Sequence, residues 1–496
     1  MNMQKRHRSQ VDLMRLIMSG ACCNLDGILD DLNSKKKRKR PGSIHSRRAK
    51  HKKDFDQTRW MGLLNNPLTR RPDSFFGKMF RNRFRVPYRL FMKVHDIFVD
   101  RDWLQGKEYD AFMRPTIPFK LKLLCAFRFI GRGECFDTIQ ELTGDRVSRE
   151  VIRKFIISWA RKMSELKSEY IKVPNPDNAK EVRNATMMYA SLGFPGCIGS
   201  TDCVNIPLGR CPYSMKNVYT GKDGHPTMGF NCTVNHHRRF LHVSSGCPGS
   251  FNDKAKVRFD EFVLNVRDGM YKDYDFWLRN NEGEWEVLHG VYLIVDGGYH
   301  RWSVLQCPLK QSSSAQECLH SRWLESVRKD VECVFGILKT RFRCLKLPSR
   351  FHDLQILEDL FVTCAILHNM LLDDELEQRE KELSGDFAEK EDFIHWIRRS
   401  RRYKSEFVSY MFKRVLRRSV AVTDLSSTGD NGTERVEEYD EDEEDGDCEH
   451  LLWSQLHARL VTHFYQQWKR KKLLWNGFRQ PIRVDNVIRL ISKVSI

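Results

Sequence analysis

Val291-Tyr-Leu-Ile-Val-Asp-Gly-Gly-Tyr299 opens the stretch that decides the fold, and Val331-Glu-Cys-Val-Phe-Gly-Ile-Leu-Lys-Thr-Arg-Phe342 closes it. Residues 291–295 are an unbroken apolar run of strand length, which predicts a buried strand. Asp296 ends that run, where a carboxylate in partly desolvated surroundings needs a partner or a metal. Gly297 and Gly298 then allow close backbone approach. In the second block, Trp323, Leu324, Val327, Val331, Val334, Phe335, Leu338 and Phe342 form one stripe at helical spacing, which predicts a helix over 323–342. Glu325 and Glu332 are seven apart and share one edge of that stripe. Gly336, one turn beyond Glu332, leaves its carboxylate unobstructed. A helix-interior glycine costs about 1 kcal/mol, so it needs a reason, and it favours Glu332 over Glu325. Arg328 and Lys339 flank the position and are placed to meet phosphate oxygens. The plain structural alternative for either Glu is an ion pair with Arg328.

A third acid lies upstream. Asp202 closes the small-residue run Gly196-Cys-Ile-Gly-Ser-Thr201 within a strand predicted over 197–208. By itself it reads equally well as a strand-end Asp accepting turn amides. Together, Asp202, Asp296 and Glu332 are three hard oxygen ligands, two near strand ends and one on a later helix. That donor set suits Mg²⁺ or Mn²⁺ rather than zinc. Two such ions would support an in-line phosphoryl displacement.

The composition agrees with an anionic partner. The chain of 496 residues has 84 basic and 65 acidic residues, a net charge of +19, and 41% hydrophobic content, enough for a sizeable core. Nucleic acid is favoured over a membrane surface. The longest apolar run, 360–372, is interrupted by His368 and Asn369 and is too short to span a bilayer, so no membrane partner is expected. The fifteen cysteines show no Cys-x-x-Cys or zinc spacing and read as reduced thiols of an intracellular protein.

Five regions follow from the pattern. Residues 1–60 form a basic tail expected to be disordered. From 35 to 53, eleven of nineteen positions are Lys or Arg. Its core, Lys35, Lys36, Lys37, Arg38, Lys39 and Arg40, reads as a nuclear localisation signal. Residues 61–175 are helical. Phe76, Phe80 and Phe84 recur every four residues and read as core rather than as a base-stacking platform. Helices over 119–130, 135–142 and 149–161, with Ser148 as N-cap, make a helix-turn-helix-like order. Arg149, Arg153 and Lys154 would meet DNA early on the third; an ordinary bundle with a charged face is the even alternative. Residues 185–372 alternate strands and helices, predicting an α/β fold with a mixed sheet and flanking helices. Within them, 250–266 reads as helix and the following segment as an acidic, aromatic loop. Residues 373–449 are charged and partly disordered, with ten acids between 436 and 449. They read as a solubilising linker rather than a DNA mimic. Residues 450–496 carry an amphipathic helix whose stripe is Leu452, Leu456, Leu460 and Phe464, continued by Trp468.

At these residues the chain resembles the DDE nuclease of PIF/Harbinger transposases and nucleases domesticated from them. The likeness is carried by Gly196-Cys-Ile-Gly-Ser-Thr-Asp-Cys203, Pro248-Gly-Ser-Phe-Asn-Asp253, Tyr292-Leu-Ile-Val-Asp-Gly-Gly-Tyr299, the 331–342 block and Ala365-Ile-Leu-His-Asn-Met370. It implies an RNase H-like nuclease over 190–372 with Asp202, Asp296 and Glu332 as catalytic, metal-holding triad, and it selects Glu332 over Glu325. It strengthens the helix-turn-helix reading. It also implies cutting of double-stranded DNA at transposon terminal repeats and joining to target DNA, assembly as an oligomer on DNA, and a Myb-like accessory partner. The alternative is a domesticated nuclear DNA-binding protein that no longer transposes. His300 stands where many relatives have Pro, outside the triad. Asp253 also matches a family acid and is expected to shape the site or cap the helix after Ser250.

Overall fold

Helices come first, because apolar residues repeat at helical spacing from the start of the folded chain. The structure is a computed structural model. It describes residues 54–383 apart from 105, 107, 112 and 114, then 443–470, 472 and 473, with backbone alone for 378–383 and 443–447. The basic tract at 35–40, and most of the acidic segment, lie outside the described residues.

Among the described residues the helices that lead toward the sheet include α1 (Arg59–Asn65), α2 (Phe75–Phe84), α3 (Tyr88–Asp100), α4 (Phe119–Arg132), α5 (Phe136–Leu142) and α6 (Arg149–Ser164). On α6 the buried residues are Ile152, Phe155, Ile156, Trp159, Ala160 and Met163, one face at three- and four-residue steps. Gly133 ends α4 in the left-handed region, which a glycine adopts without strain. Ser148 occupies the N-cap of α6 as its position predicts, but its hydroxyl makes no capping bond. Phe80 and Phe84 are fully buried, so the phenylalanine ladder is core.

After α7 (Ala179–Ser191) come β1 (Cys197–Pro207), β2 (Thr227–Val234), β3 (Phe240–Val243) and the two-residue β4 (Cys247–Pro248). The segment predicted as one helix over 250–266 is two, α8 (Asp253–Val257) and α9 (Glu261–Arg267). The break is at Asp260, whose fully buried carboxylate accepts from the amides of Phe262 and Val263 and restarts the helix. The segment expected as a loop is a hairpin, β5 (Asp275–Arg279) with β6 (Trp285–His289). Phe276 and Leu278 point inward while Trp277 is 54% exposed; a large apolar residue on the solvent face hides the alternation in sequence. β7 (Tyr292–Ile294), β8 (Leu305–Gln306), α10 (Ala315–Arg341), α11 (Leu354–Leu383) and α12 (Glu443–Lys469) follow among the described residues.

The main sheet has the order β3-β2-β1-β7-β8, with β4 also on β2. β1 runs antiparallel to β2 and parallel to β7, and β7 runs parallel to β8, so the sheet is mixed. β7 is buried on both faces. Tyr292 and Ile294 join a core cluster with Trp323 and Leu324 of α10 and Leu460 and Phe464 of α12, while Leu293 and Val295 join another with Phe262 and Val263 of α9. A third cluster runs without a break from Phe55 through α2–α6 into β1–β3, α10 and α11. The helical region therefore shares its core with the sheet.

α11 is the spine of that core. Its segment Leu354–Glu377 is long and apolar enough, by length and composition, to cross a membrane, and 83% of the tested window is buried within the protein. Its His368-Asn369 pair is polar because it completes the edge of β3. The Asn369 side chain accepts from the Phe240 amide at 3.0 Å and donates to the carbonyls of Phe240 and Tyr170 at 2.9 and 2.8 Å. His368 Nε2 lies 2.8 Å from the Arg238 carbonyl. Asn369→Leu keeps the branched shape and orphans those backbone groups. It is expected to cost about 3 kcal/mol, read as a lowered urea midpoint; an unchanged midpoint would refute this account.

Candidate active site

Three elements deliver the acids. Asp202 is mid-strand on β1, opposite Cys232 of β2, rather than at a strand end as the sequence suggests. Asp296 lies just past β7, and its Oδ1 accepts from the Gly297 amide at 2.6 Å. Glu332 is on α10, which starts eight residues before the apolar stripe because Ser314 caps the Glu317 amide there. Because β1 and β7 are adjacent and parallel and α10 packs against β1, the three carboxylates face one place.

A cation of the chain itself occupies that place. The Arg328 side chain, 5% exposed, lies with Nη1 3.3 Å from Asp202 Oδ2, and Nη2 2.9 Å from Glu332, 3.0 Å from Glu325 and 3.9 Å from Asp296. It is thus not a phosphate contact at the rim, as its sequence position suggests. The guanidinium fork ties the acids together, and both glutamates make the ion pair that sequence offered as their plain alternative. Glu325 also meets Lys329 at 3.4 Å. Beyond its own helix backbone and chain neighbours, Gly336 has no heavy atom within 4 Å of where a side chain would begin, so the expected open space is there.

Burial ranks the acids in an order sequence does not show. Asp296, expected to be the desolvated one, is 49% exposed; Glu332 is 46% and Asp202 only 17% exposed. Burial pushes the Asp202 carboxyl up to about 6 against the pull of Arg328, with Asp253 and Asp296 adding to the rise. Burial lowers the affinity of Arg328 for its proton, but Glu325, Asp202 and Asp296 outweigh it, and the net shift is upward. Burial likewise works against ionised Glu325, and the bonds from Arg328 bring it below its ordinary value.

Several supporting residues are invisible in sequence. Asn231 on β2 donates to Asp260 at 2.6 Å and accepts from the Tyr299 hydroxyl at 2.7 Å, which fastens the turn after Asp296 to the sheet. Only packing identifies it. Asp253 does not cap its helix, since Asn252 does. A side chain placed on Gly298 would meet Asp253 Oδ2 at 3.4 Å, so Asp253 stands over the glycine pair after Asp296. Lys339 is anchored to the strand, donating to the Asn205 carbonyl at 2.8 Å. On α6, Arg153 is bonded to Glu150 at 3.0 and 3.1 Å and Lys154 lies 3.6 Å from it, while Arg149 is exposed. His300 stacks on Trp302, ring centroids 5.0 Å apart.

Among the described residues no group of three His, Cys, Asp or Glu side chains is spaced to hold an ion as it stands. The donor set nevertheless fits one. Asp202, Asp296 and Glu332 present carboxylate oxygens to a shared point that already demands positive charge, and Arg328 supplies it.

Residues 168–379 match the family described as "Plant transposon protein". The chain is 24% identical to "Protein ALP1-like" of Arabidopsis thaliana, over 51% of this chain and 60% of that protein. It is 24% identical to "Putative nuclease HARBI1" of Mus musculus, over 53% of this chain and 71% of that protein. To the protein of the same name in Homo sapiens it is 20% identical, over 57% and 77%. No solved structure matches the chain. The family match and these relatives support kinship with a transposase-derived nuclease family.

Proposed function

We propose that this chain is a Mg²⁺- or Mn²⁺-dependent DNA endonuclease of the PIF/Harbinger transposase type, acting in the nucleus at transposon terminal repeats. The observation that carries this is the convergence of Asp202, Asp296 and Glu332, from two neighbouring strands and a helix, on one cation. The mixed sheet with flanking helices supports an RNase H-like reading, and the order of α4, α5 and α6 supports a helix-turn-helix. In the working enzyme Asp202, Asp296 and Glu332 would hold the metal. A divalent ion there would neutralise charge developing on the phosphodiester during in-line displacement. Asp202, the most buried of the three, is held by β1. Asp296 and Glu332 are half exposed and open to substrate. Arg328 would keep the carboxylates apart and compensated until the ion arrives, then keep its hold on Glu325. The same acids would serve cutting and, with a 3′-hydroxyl as nucleophile, joining to target DNA.

The test is cleavage of a duplex bearing the repeats that flank the gene. Purified chain should cut it in Mg²⁺ or Mn²⁺ and not in EDTA. Intact duplex under both conditions would refute the nuclease reading. A second reading, a domesticated DNA-binding protein, is favoured by one observation: Arg328 already fills the point where the acids meet. That reading expects duplex binding without cleavage.

A further inference from the structure

Away from the acids, the chain builds a strongly basic cleft where the helical region meets the end of β1. Its volume is about 510 Å³, within the range of ligand sites. Arg149 and Arg153 reach it from the first turns of α6, Arg210 from the loop after β1, and Arg350 from the segment leading into α11. Asp137 and Asp353 are the acids on its wall. Arg153 is satisfied by Glu150, and Asp353 is engaged by Arg161 at 3.6 Å. Arg149, Arg210 and Arg350 are exposed and have no carboxylate partner among the described residues. Three unneutralised guanidiniums thus face one wall acid.

The arginines come from segments far apart in sequence, and backbone packing holds two of those segments side by side. The Ser349 amide donates to the Pro207 carbonyl at 2.9 Å. Gly209 lies so close to Pro348 and Ser349 that a Cβ there would sit 2.7 Å from each. This fastens Arg210 beside Arg350. The floor is apolar: Phe136 stands 5.8 Å from Phe351 and 5.4 Å from Phe129, ring to ring. An apolar floor under a ring of unpaired guanidiniums suits a sugar–phosphate backbone better than a carboxylate metabolite.

β1 connects this cleft to the acids. From Asp202 to Pro207 is five residues of strand, about 17 Å, the rise of about five base pairs of duplex. We infer that the cleft binds the phosphate backbone of duplex DNA about half a helical turn from the bond that the acids attack. This rests on the nuclease reading and extends it to how the duplex is held. It also changes the part expected of Arg149, from reading bases on a recognition helix to clamping phosphate together with the loops of the sheet.

The experiment is binding of a fluorescein-labelled duplex of about 30 base pairs to the full chain in EDTA, across a salt series. Cleavage is not required for it, so it can fail while the nuclease reading stands, and the reverse. The variant R149Q/R210Q/R350Q is expected to flatten the plot of log K against log salt by about 2–3 units, because each lost phosphate contact removes about 0.9. Its thermal midpoint should match the parent, since all three side chains are exposed. The control R70Q/K78Q/K272Q removes three exposed cations outside the cleft and should change the slope by less than about 1. A second readout is alkylation of Cys135, a half-buried thiol on the cleft wall whose ionisation is eased by its bonds to Thr138 and by the nearby Arg350. Bound duplex should slow alkylation of Cys135 and leave the exposed Cys448 unaffected. An unchanged slope in the cleft variant, an equal drop in the control, or no protection of Cys135 would overturn the inference.

Discussion

Asp296→Asn is expected to lower the cleavage rate by at least about a thousandfold, which corresponds to about 4 kcal/mol of lost transition-state stabilisation. The substitution changes charge and almost nothing else. Asn keeps the size of Asp and can still accept from the Gly297 amide. Asp296 is 49% exposed, and its guanidinium neighbour is 3.9 Å away, so little folding energy depends on its charge. The thermal midpoint should therefore move by an amount equivalent to less than about 0.5 kcal/mol. This pairing makes the variant informative, because a structural acid would show stability loss before activity loss. Cleavage of the terminal-repeat duplex in Mg²⁺, measured beside thermal unfolding, gives both readings. A variant cutting within about tenfold of the parent would remove Asp296 from the chemistry.

The acids stood out because each sits at a recognisable pattern: Asp202 after a run of small residues, Asp296 after an unbroken apolar run, Glu332 on the edge of a helical stripe. β1 spans Cys197–Pro207 against an expected 197–208, since small and β-branched residues between Gly196 and Pro207 leave no competing reading. The sheet's mixed character followed from the alternation of strands and helices. What fails is whatever depends on direction around a helix or across a turn. The C-terminal helix illustrates this. A ladder at strict four-residue steps rotates about 40° per step around an α-helix, so four rungs cannot all face one way. Leu460 and Phe464 are buried, but Leu452 is 47% exposed. The face against the body begins at Trp453, whose indole donates to the Leu305 carbonyl at 2.8 Å, and continues through His457 and Val461. Two histidines and a tryptophan on the buried face do not read as a core stripe.

Arg328 was harder still. A basic residue one turn before an acid on a helix reads as a solvated ion pair or a phosphate contact. Its enclosure depends on α10 packing against the sheet where β1 and β7 run side by side, a tertiary fact with no local period. The consequence is that the site's electrostatics are set by a residue whose neighbours in sequence explain only half its partners. Glu325 and Glu332 are visible on the same helix; Asp202 and Asp296 are not.

Arg328→Ala should therefore be the most destabilising single change at the site, by about 3–5 kcal/mol at neutral pH. The guanidinium is 5% exposed and within 4.0 Å of all four carboxylates. Removing it leaves them facing one another, and Asp202, 17% exposed, has little access to water. Glu332 and Asp296 can turn outward, which holds the loss near the lower end of the range. The pH dependence has a definite sign. Asp202 already has a folded-state pKa of about 6, above its ordinary value, so the folded state binds its proton more tightly than the unfolded one. Its contribution favours folding at low pH and is lost as pH rises through about 6. Loss of Arg328 removes the main influence holding that pKa down and extends the window upward. The deficit of the variant should thus be larger at pH 8 than at pH 5, roughly by half. Mg²⁺ should restore stability to the variant more than to the parent, because the ion takes the place of the lost cation. Arg328→Lys keeps the charge without the fork and should fall between the two. Thermal midpoints of the three proteins at both pH values, with and without Mg²⁺, decide the matter. Equal stability of parent and Arg328→Ala at pH 8 would mean that the four acids do not depend on this guanidinium.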